Sequence, residues 1–169
     1  MMADTKHVLN VADVPMKEFG YSGNETYLSV TGAIAHRVGL KDLGCRVMRV
    51  AAGNKAFPFH NHHTNEELVY VVEGEGTLRM GENRHPIKAG DVLGFPPGGP
   101  EHAHQIINTS KSDLVYLIMS TQNPVEVLEY PDSGKFGVMA GKAALQPQQA
   151  SFEFFGTRET GETGYWNGE

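Results

Sequence analysis

Residues 58–76, PFHNHHTNEELVYVVEGEG, decide how this chain is read. Three histidines fall in four positions, His60, His62 and His63; Glu66 and Glu67 follow, and an apolar run then ends in EGEG. In an extended segment alternate side chains share a face, so His60 and His62 point one way and His63 points the other. Two imidazoles on one face with a carboxylate close behind are the start of a metal site. Such a pair grips a divalent ion when its ring nitrogens are unprotonated and the backbone is stiff. The strand expected from Glu67 to Glu73 supplies the stiffness.

Working outward from this stretch, short β-type runs alternate with turn residues. Upstream, Leu43–Ala51 reads as a strand, with charges only at Arg46 and Arg49, and Glu25–Val30 as a shorter one. Pro15 would interrupt any helix near the N-terminus, where residues 7–14 read as an extended arm. Downstream, Glu73–Gly76 makes a hairpin turn, Thr77–Met80 returns, and Val92–Phe95 follows the turn at Gly90-Asp91. The proline- and glycine-rich loop PPGGPEHAHQIIN leads into a strand at about 102–108; Leu114–Ser120 and Val125–Tyr130 complete the framework. In the final third, Phe136–Met139 and Phe152–Phe155 are candidates to pair, and Tyr165-Trp166 lies near the end. Many short strands with few helical patterns predict an all-β sandwich or barrel.

Composition narrows the function classes. A chain of 169 residues suits one domain with a real core, and 20 Gly and 9 Pro fit many tight turns. The formal charge is −6 and no block of Lys or Arg stands out, so neither nucleic acid nor an anionic membrane is an expected partner. Cys45 is the single cysteine and forms no internal disulfide. No apolar run approaches the roughly 20 residues of a membrane helix, and no signal-peptide pattern opens the chain, so a soluble, cytoplasmic protein is expected.

His104 supplies a further ring. With His60, His62 and Glu67 it gives three nitrogens and one oxygen, which leaves two positions of a six-coordinate ion for water or substrate. These residues carry a resemblance to the cupin superfamily, small jelly-roll barrels that bring a metal into the barrel through two motifs. Gly53, His60, His62, Glu67 and Gly74 follow the first motif, with six residues rather than five after Gly53. Gly90, Pro96, Gly98, His104 and Asn108 follow the second, with five residues between Gly98 and His104 rather than two. That insertion leaves two candidates: His104 has the motif's distance to Asn108, whereas His102 lies nearer the proline. The spacing to Gly74 selects Glu67 over Glu66. The resemblance spans about residues 43–121 and implies a jelly-roll β-barrel holding one divalent ion (Fe, Mn, Ni or Zn).

The expected layout is an N-terminal arm with outer strands over 1–42, the barrel with its metal site over 43–130, and a tail over 131–169 that packs on the barrel or a partner, all in one domain. His63 reads as a surface residue or a donor behind the ligands, and His7, His36 and His85 as solvated. Glu66 is the candidate proton carrier. Cys45 reads as a small core residue, and Tyr70 and Tyr116 as strand packing. Leu68–Val72 and Leu114–Ser120 are apolar on both faces, so a second subunit or the chain's own termini must cover the outside, and a homodimer is expected. The functional expectation is a metal-dependent enzyme, of the oxygenase or isomerase type, acting on a small polar molecule. The alternative is a module that binds or senses such a molecule with the metal as anchor.

Overall fold

The strands form where β-branched and aromatic residues alternate with polar ones, and they end where glycine reverses the chain. A computed structural model describes residues 7–20, 26–141 and 151–157. Within these residues the chain is all-β, a jelly roll of three sheets. A six-stranded sheet runs in the order β1 (Lys17–Gly20), β2 (Leu28–Ala33), β3 (Leu43–Val50), β10 (Leu114–Thr121), β5 (Glu67–Glu73), β8 (Val92–Phe95). A four-stranded sheet runs β13 (Phe152–Thr157), β12 (Lys135–Ala140), β11 (Val125–Tyr130), β4 (Asn61–His62). The third runs β7 (Asn83–Lys88), β6 (Glu75–Met80), β9 (His104–Ile107). The helical pieces among the described residues are 3-10 turns of three or four residues, and no helix there is long and apolar enough to cross a membrane.

Alternation along β3, β10 and β5 sends Met48, Val50, Leu114, Tyr116, Val69 and Val71 into the interior, where each is 0% exposed. Their apolar partners across the barrel are Leu78, Ile87 and Ile106 of the small sheet. Burial of this set is the main driving force for closing the barrel, at about 25 cal/mol per Å² of apolar surface. The β5–β6 hairpin needs glycine at Gly74. Its φ is +85°, and a Cβ there would stand 2.3 Å from the carbonyl oxygen of Asp113.

The two-faced apolar runs have different explanations. On the outer face of β3 and β10, Val47 and Val115 are buried against Val14 of the N-terminal segment, with Leu9 and Ile34 packed alongside. The segment presses so closely that a Cβ on Gly32 would meet Val14 Cγ1 at 2.5 Å. The chain's own terminus therefore covers β10. It does not cover β5, whose outer residues Leu68, Tyr70 and Val72 are 43%, 41% and 45% exposed.

Several boundaries differ from those expected. The N-terminal residues add an edge strand, β1, that Pro15 and the polar composition concealed. The residue Glu25, the expected start of β2, lies outside the described residues, as do Tyr165 and Trp166. The expected strand at 102–108 is shortened, because Pro100–His102 form a 3-10 turn ahead of β9. Phe136–Met139 and Phe152–Phe155 pair as expected, with Val138 opposite Phe154. They extend the sheet of β11, so the tail strand β13 belongs to the same sheet as the barrel strand β11.

Candidate metal centre

Backbone pairing brings the two histidine motifs together. His60 and His104 form an isolated antiparallel bridge, with N–H to O=C distances of 3.2 and 2.8 Å in the two directions. Directly opposed residues of such a pair project to the same face, and the two rings lie 4.8 Å apart between centroids. The loop before His104 is fastened to the first motif: Gly98 N–H donates to His62 O at 2.8 Å, and Asn61 Nδ2 donates to Gly98 O at 2.8 Å. The extra residues of that loop form the 3-10 turn. His102 sits in it with its ring folded against Gly98, where a Cβ would stand 2.2 Å from the imidazole. His104, not His102, therefore faces the cluster.

The donor atoms of His60, His62 and Glu67 lie within 4.8 Å of one another. Glu67 Oε2 stands 3.4 Å from His62 Nε2 and 3.1 Å from His104 Nε2, so one carboxylate oxygen is approached by two rings. The His104 ring lies flat on Phe95, with centroids 3.7 Å apart and planes 3° from parallel. His60 Nδ1 donates to Pro58 O at 2.8 Å, and His62 Nδ1 donates to Glu126 Oε2 at 3.2 Å. Each bond holds a proton on Nδ1, so Nε2 is the nitrogen that each ring can offer to an ion. His62 Nε2 is buried and makes no hydrogen bond. Two imidazoles oriented through Nδ1, one of them with a buried Nε2 that makes no hydrogen bond, and an adjacent carboxylate together fit a divalent cation of borderline softness, which takes the place of the proton on His62 Nε2.

The electrostatics follow from burial and contact. Burial, with His104 nearby, presses the His60 pKa down to about 3, which keeps the ring neutral. Burial also disfavours a charged His62, but its bond to Glu126 and the neighbouring Glu67 carboxylate outweigh it and raise the pKa to about 9. Burial works against an ionised Glu67 as well, yet His104 and His62 hold its carboxyl well below the usual range.

Glu126 is the residue that sequence reasoning missed. It is 1% exposed and accepts from His62 Nδ1, from the backbone N–H groups of His63, Thr64, Asn65 and Val127, and from Asn65 Nδ2. The turn after the histidines is thereby wrapped around one carboxylate. Glu129 takes His63 Nε2 at 2.9 Å, so the third histidine is tied to the four-stranded sheet. Asn108 closes its own turn, donating to Val50 O and Ser112 O at 2.8 and 2.7 Å.

The histidines open onto a cavity of about 520 Å³ between the two larger sheets. One wall carries Lys17, Phe19, Thr31, Ala33, Arg46, Ile118 and Ser120, and the other Leu128, Tyr130, Met139, Glu153 and Phe155. Burial, with Glu153 nearby, raises the Tyr130 phenol to about 12, so it stays protonated. Glu66 lies elsewhere. It is exposed and lines a separate shallow groove with Leu43, Pro96 and Met119. Tyr116 packs in the core and Tyr70 lies on the outer surface; His7, His36 and His85 are exposed. Cys45 is half-buried, and burial raises its thiol.

Comparison with known proteins agrees with this geometry. A family model described as "Cupin domain" matches residues 46–120. A candidate sugar phosphate isomerase from Acidithiobacillus ferrooxidans superposes with a TM-score of 0.79 at 25% identity, covering 94% of this chain and 96% of its own. A sugar phosphate isomerase of Silicibacter pomeroyi gives 0.75 at 22% identity over 94% and 97%, a likeness of fold. Auxin-binding protein 1 of Arabidopsis thaliana is 29% identical over 74% of this chain, which spans 64% of that protein's length.

Proposed function

The chain belongs to the cupin superfamily, and from that premise we propose that it is a metal-dependent enzyme acting on a small polar molecule held between its sheets. The observation that carries this reading is the convergence of His60, His62 and Glu67 at the wall of an open cavity, with His62 Nε2 buried and 3.4 Å from Glu67 Oε2. In this reading His60, His62, Glu67 and His104 hold one divalent ion, of Fe, Mn, Ni or Zn. Such an ion supplies Lewis acidity toward a substrate oxygen.

The chain's own residues supply the rest. Glu126 holds the His62 ring and its tautomer, and Pro58 does the same for His60. Ile118, Leu128 and Met139 displace water from the cavity walls. Tyr130, protonated and stacked 6.1 Å from the His60 ring, donates a hydrogen bond or proton to substrate. Glu153 is the cavity carboxylate placed to accept one. These two take the proton-carrying role expected of Glu66, which does not line the cavity. Isomerisation of a hydroxy-carbonyl compound is the reaction to test first, because the Acidithiobacillus protein that matches over nearly its full length is described as a candidate isomerase. The second reading, a binding module, is supported by the similarity to the auxin-binding protein. The exposed row Leu68, Tyr70 and Val72 on β5 supports a homodimer through that face.

The test is untagged protein reconstituted with each metal, screened for isomerisation of sugars and sugar phosphates and for oxygen uptake. Turnover that disappears in His62→Ala and in Glu67→Ala is expected. Saturable binding without turnover under every metal replaces the enzyme with the binding module.

A further inference from the structure

Arg46 occupies a position that a barrel ordinarily gives to an apolar side chain. It lies on the same face of β3 as Met48 and Val50, both 0% exposed, and opposite Ile118 of β10. Its side chain lines the cavity, where burial lowers its pKa. Arg46 is half-buried, and a guanidinium withdrawn from water is costly unless an anion meets it. Arg49, on the same strand, and Arg79, on β6 of the small sheet, have such anions in Asp113 and Asp132, at 3.2 and 2.7 Å. Among the described residues no carboxylate forms an ion pair with Arg46; Glu67 attracts it from beyond ion-pair distance, and its guanidinium carbon stands 5.9 Å from the Phe19 ring centroid.

A second observation points the same way. Lys17, on the interior side of edge strand β1, lines the same cavity, and among the described residues it too has no carboxylate partner. The lining carries two cations, Arg46 and Lys17, against two carboxylates, Glu67 and Glu153. Glu67 is already engaged by two imidazoles. A divalent ion added at the histidines tips this balance to positive, so the occupied cavity attracts an anion.

We propose that Arg46, assisted by Lys17, is the subsite for an acidic group of the ligand, a carboxylate or a phosphate, in the cavity onto which His60 and His62 open. The planar guanidinium fork matches two oxygens of either group, and Lys17 at the exposed edge adds a point charge. The inference rests on the proposed metal site for the second point of attachment, and it assigns the ligand class: small molecules with an acidic end and an oxygen-bearing reactive end.

Calorimetric titration of inorganic phosphate and of succinate tests it. The proteins are the wild type, Arg46→Gln, Arg46→Lys and Lys17→Gln, each zinc-loaded and metal-free, with bound zinc measured separately. Arg46→Gln should weaken the preferred anion roughly tenfold or more without changing zinc content. Lys17→Gln should weaken it roughly two- to threefold, and Arg46→Lys should fall between. The better-binding anion distinguishes a phosphate from a carboxylate subsite. Wild-type failure to bind either anion at about 10 mM, or equal binding by Arg46→Gln, overturns the proposal. Should Arg46→Gln not fold, unchanged binding in both Lys17→Gln and Arg46→Lys overturns it instead. Absence of zinc binding with Arg46-dependent anion binding intact refutes the metal reading alone.

Discussion

Replacing Glu126 by glutamine exchanges one carboxylate oxygen for an amide nitrogen, yet it should damage both stability and metal binding. In the native protein each carboxylate oxygen serves three donors. Oε1 accepts from the N–H groups of His63, Thr64 and Val127 at 3.1, 3.2 and 2.8 Å. Oε2 accepts from His62 Nδ1 at 3.2 Å, from Asn65 N at 3.1 Å, and from Asn65 Nδ2. An amide NH₂ cannot accept. If it takes the Oε1 position, three backbone donors lose their acceptor. If it takes the Oε2 position, His62 must move its proton to Nε2 to avoid donor facing donor, and the nitrogen that would hold the proposed ion is blocked. Breaking a buried charge-assisted set by removing one partner costs about 3–5 kcal/mol, and loss of a residue that orients a metal-bound histidine costs roughly 10–100-fold in metal affinity. Urea unfolding of metal-free protein reads the first effect, and competition with a chromophoric chelator reads the second. A Glu126→Gln protein within about 1 kcal/mol of wild type and within threefold in metal affinity would refute the role given to this carboxylate.

Other expectations follow from the same geometry. Ligand replacement should separate the donors from their neighbours, with metal binding lost in His60→Ala, His62→Ala and Glu67→Ala and kept in His102→Ala; a loss in the last returns the ligand role to His102. In metal-free protein the unfolded chain protonates its histidines near about pH 6.5, whereas folded His60 resists protonation until about pH 3. The stability this provides is present above 6.5 and falls as pH drops toward 3. His62, raised to about 9, contributes oppositely: its stabilisation is full below about 6.5 and lost as pH rises through 9. The melting midpoint should therefore peak near neutrality, and a midpoint that keeps rising from pH 7 to 9 contradicts the His62 assignment. Gly74→Ala combines a φ of +85° with a Cβ 2.3 Å from Asp113 O, whereas Gly53→Ala meets nothing within 4 Å at a φ of +76°. The first should cost about 2–4 kcal/mol and the second about 1–2 kcal/mol, and equal costs in chemical denaturation would remove the close-approach argument. For the uncovered β5 face, Tyr70→Lys with Val72→Lys should convert a dimer to monomer in sedimentation analysis; a wild-type monomer removes that interface.

The local chemistry of the strands and histidines was legible in the chain itself. Period-two alternation, a property of an extended backbone, places His60 and His62 on one face whatever surrounds them, and the motif resemblance, through the spacing to Gly74, points to Glu67. The turns at Gly74 and Gly90 were equally local. What the chain could not announce is which face of a strand meets unsatisfied donors. Residues 125–130 read as VEVLEY, a pattern that suggests valines inward and Glu126 outward. The fold does the reverse: Val125 is 52% exposed and Glu126 1%. The turn at 63–65 presents three backbone N–H groups and a histidine Nδ1 to β11, and leaving them buried without an acceptor costs more than exposing one valine. Arg46 follows the same logic on β3, where interior direction is set by Met48 and Val50 and the cavity leaves room for a charge. Which of His102 and His104 turns toward Glu67 was tertiary as well, set by the bridge between His104 and His60. Alternation fixes which side chains share a face; only the assembled barrel decides what that face must satisfy.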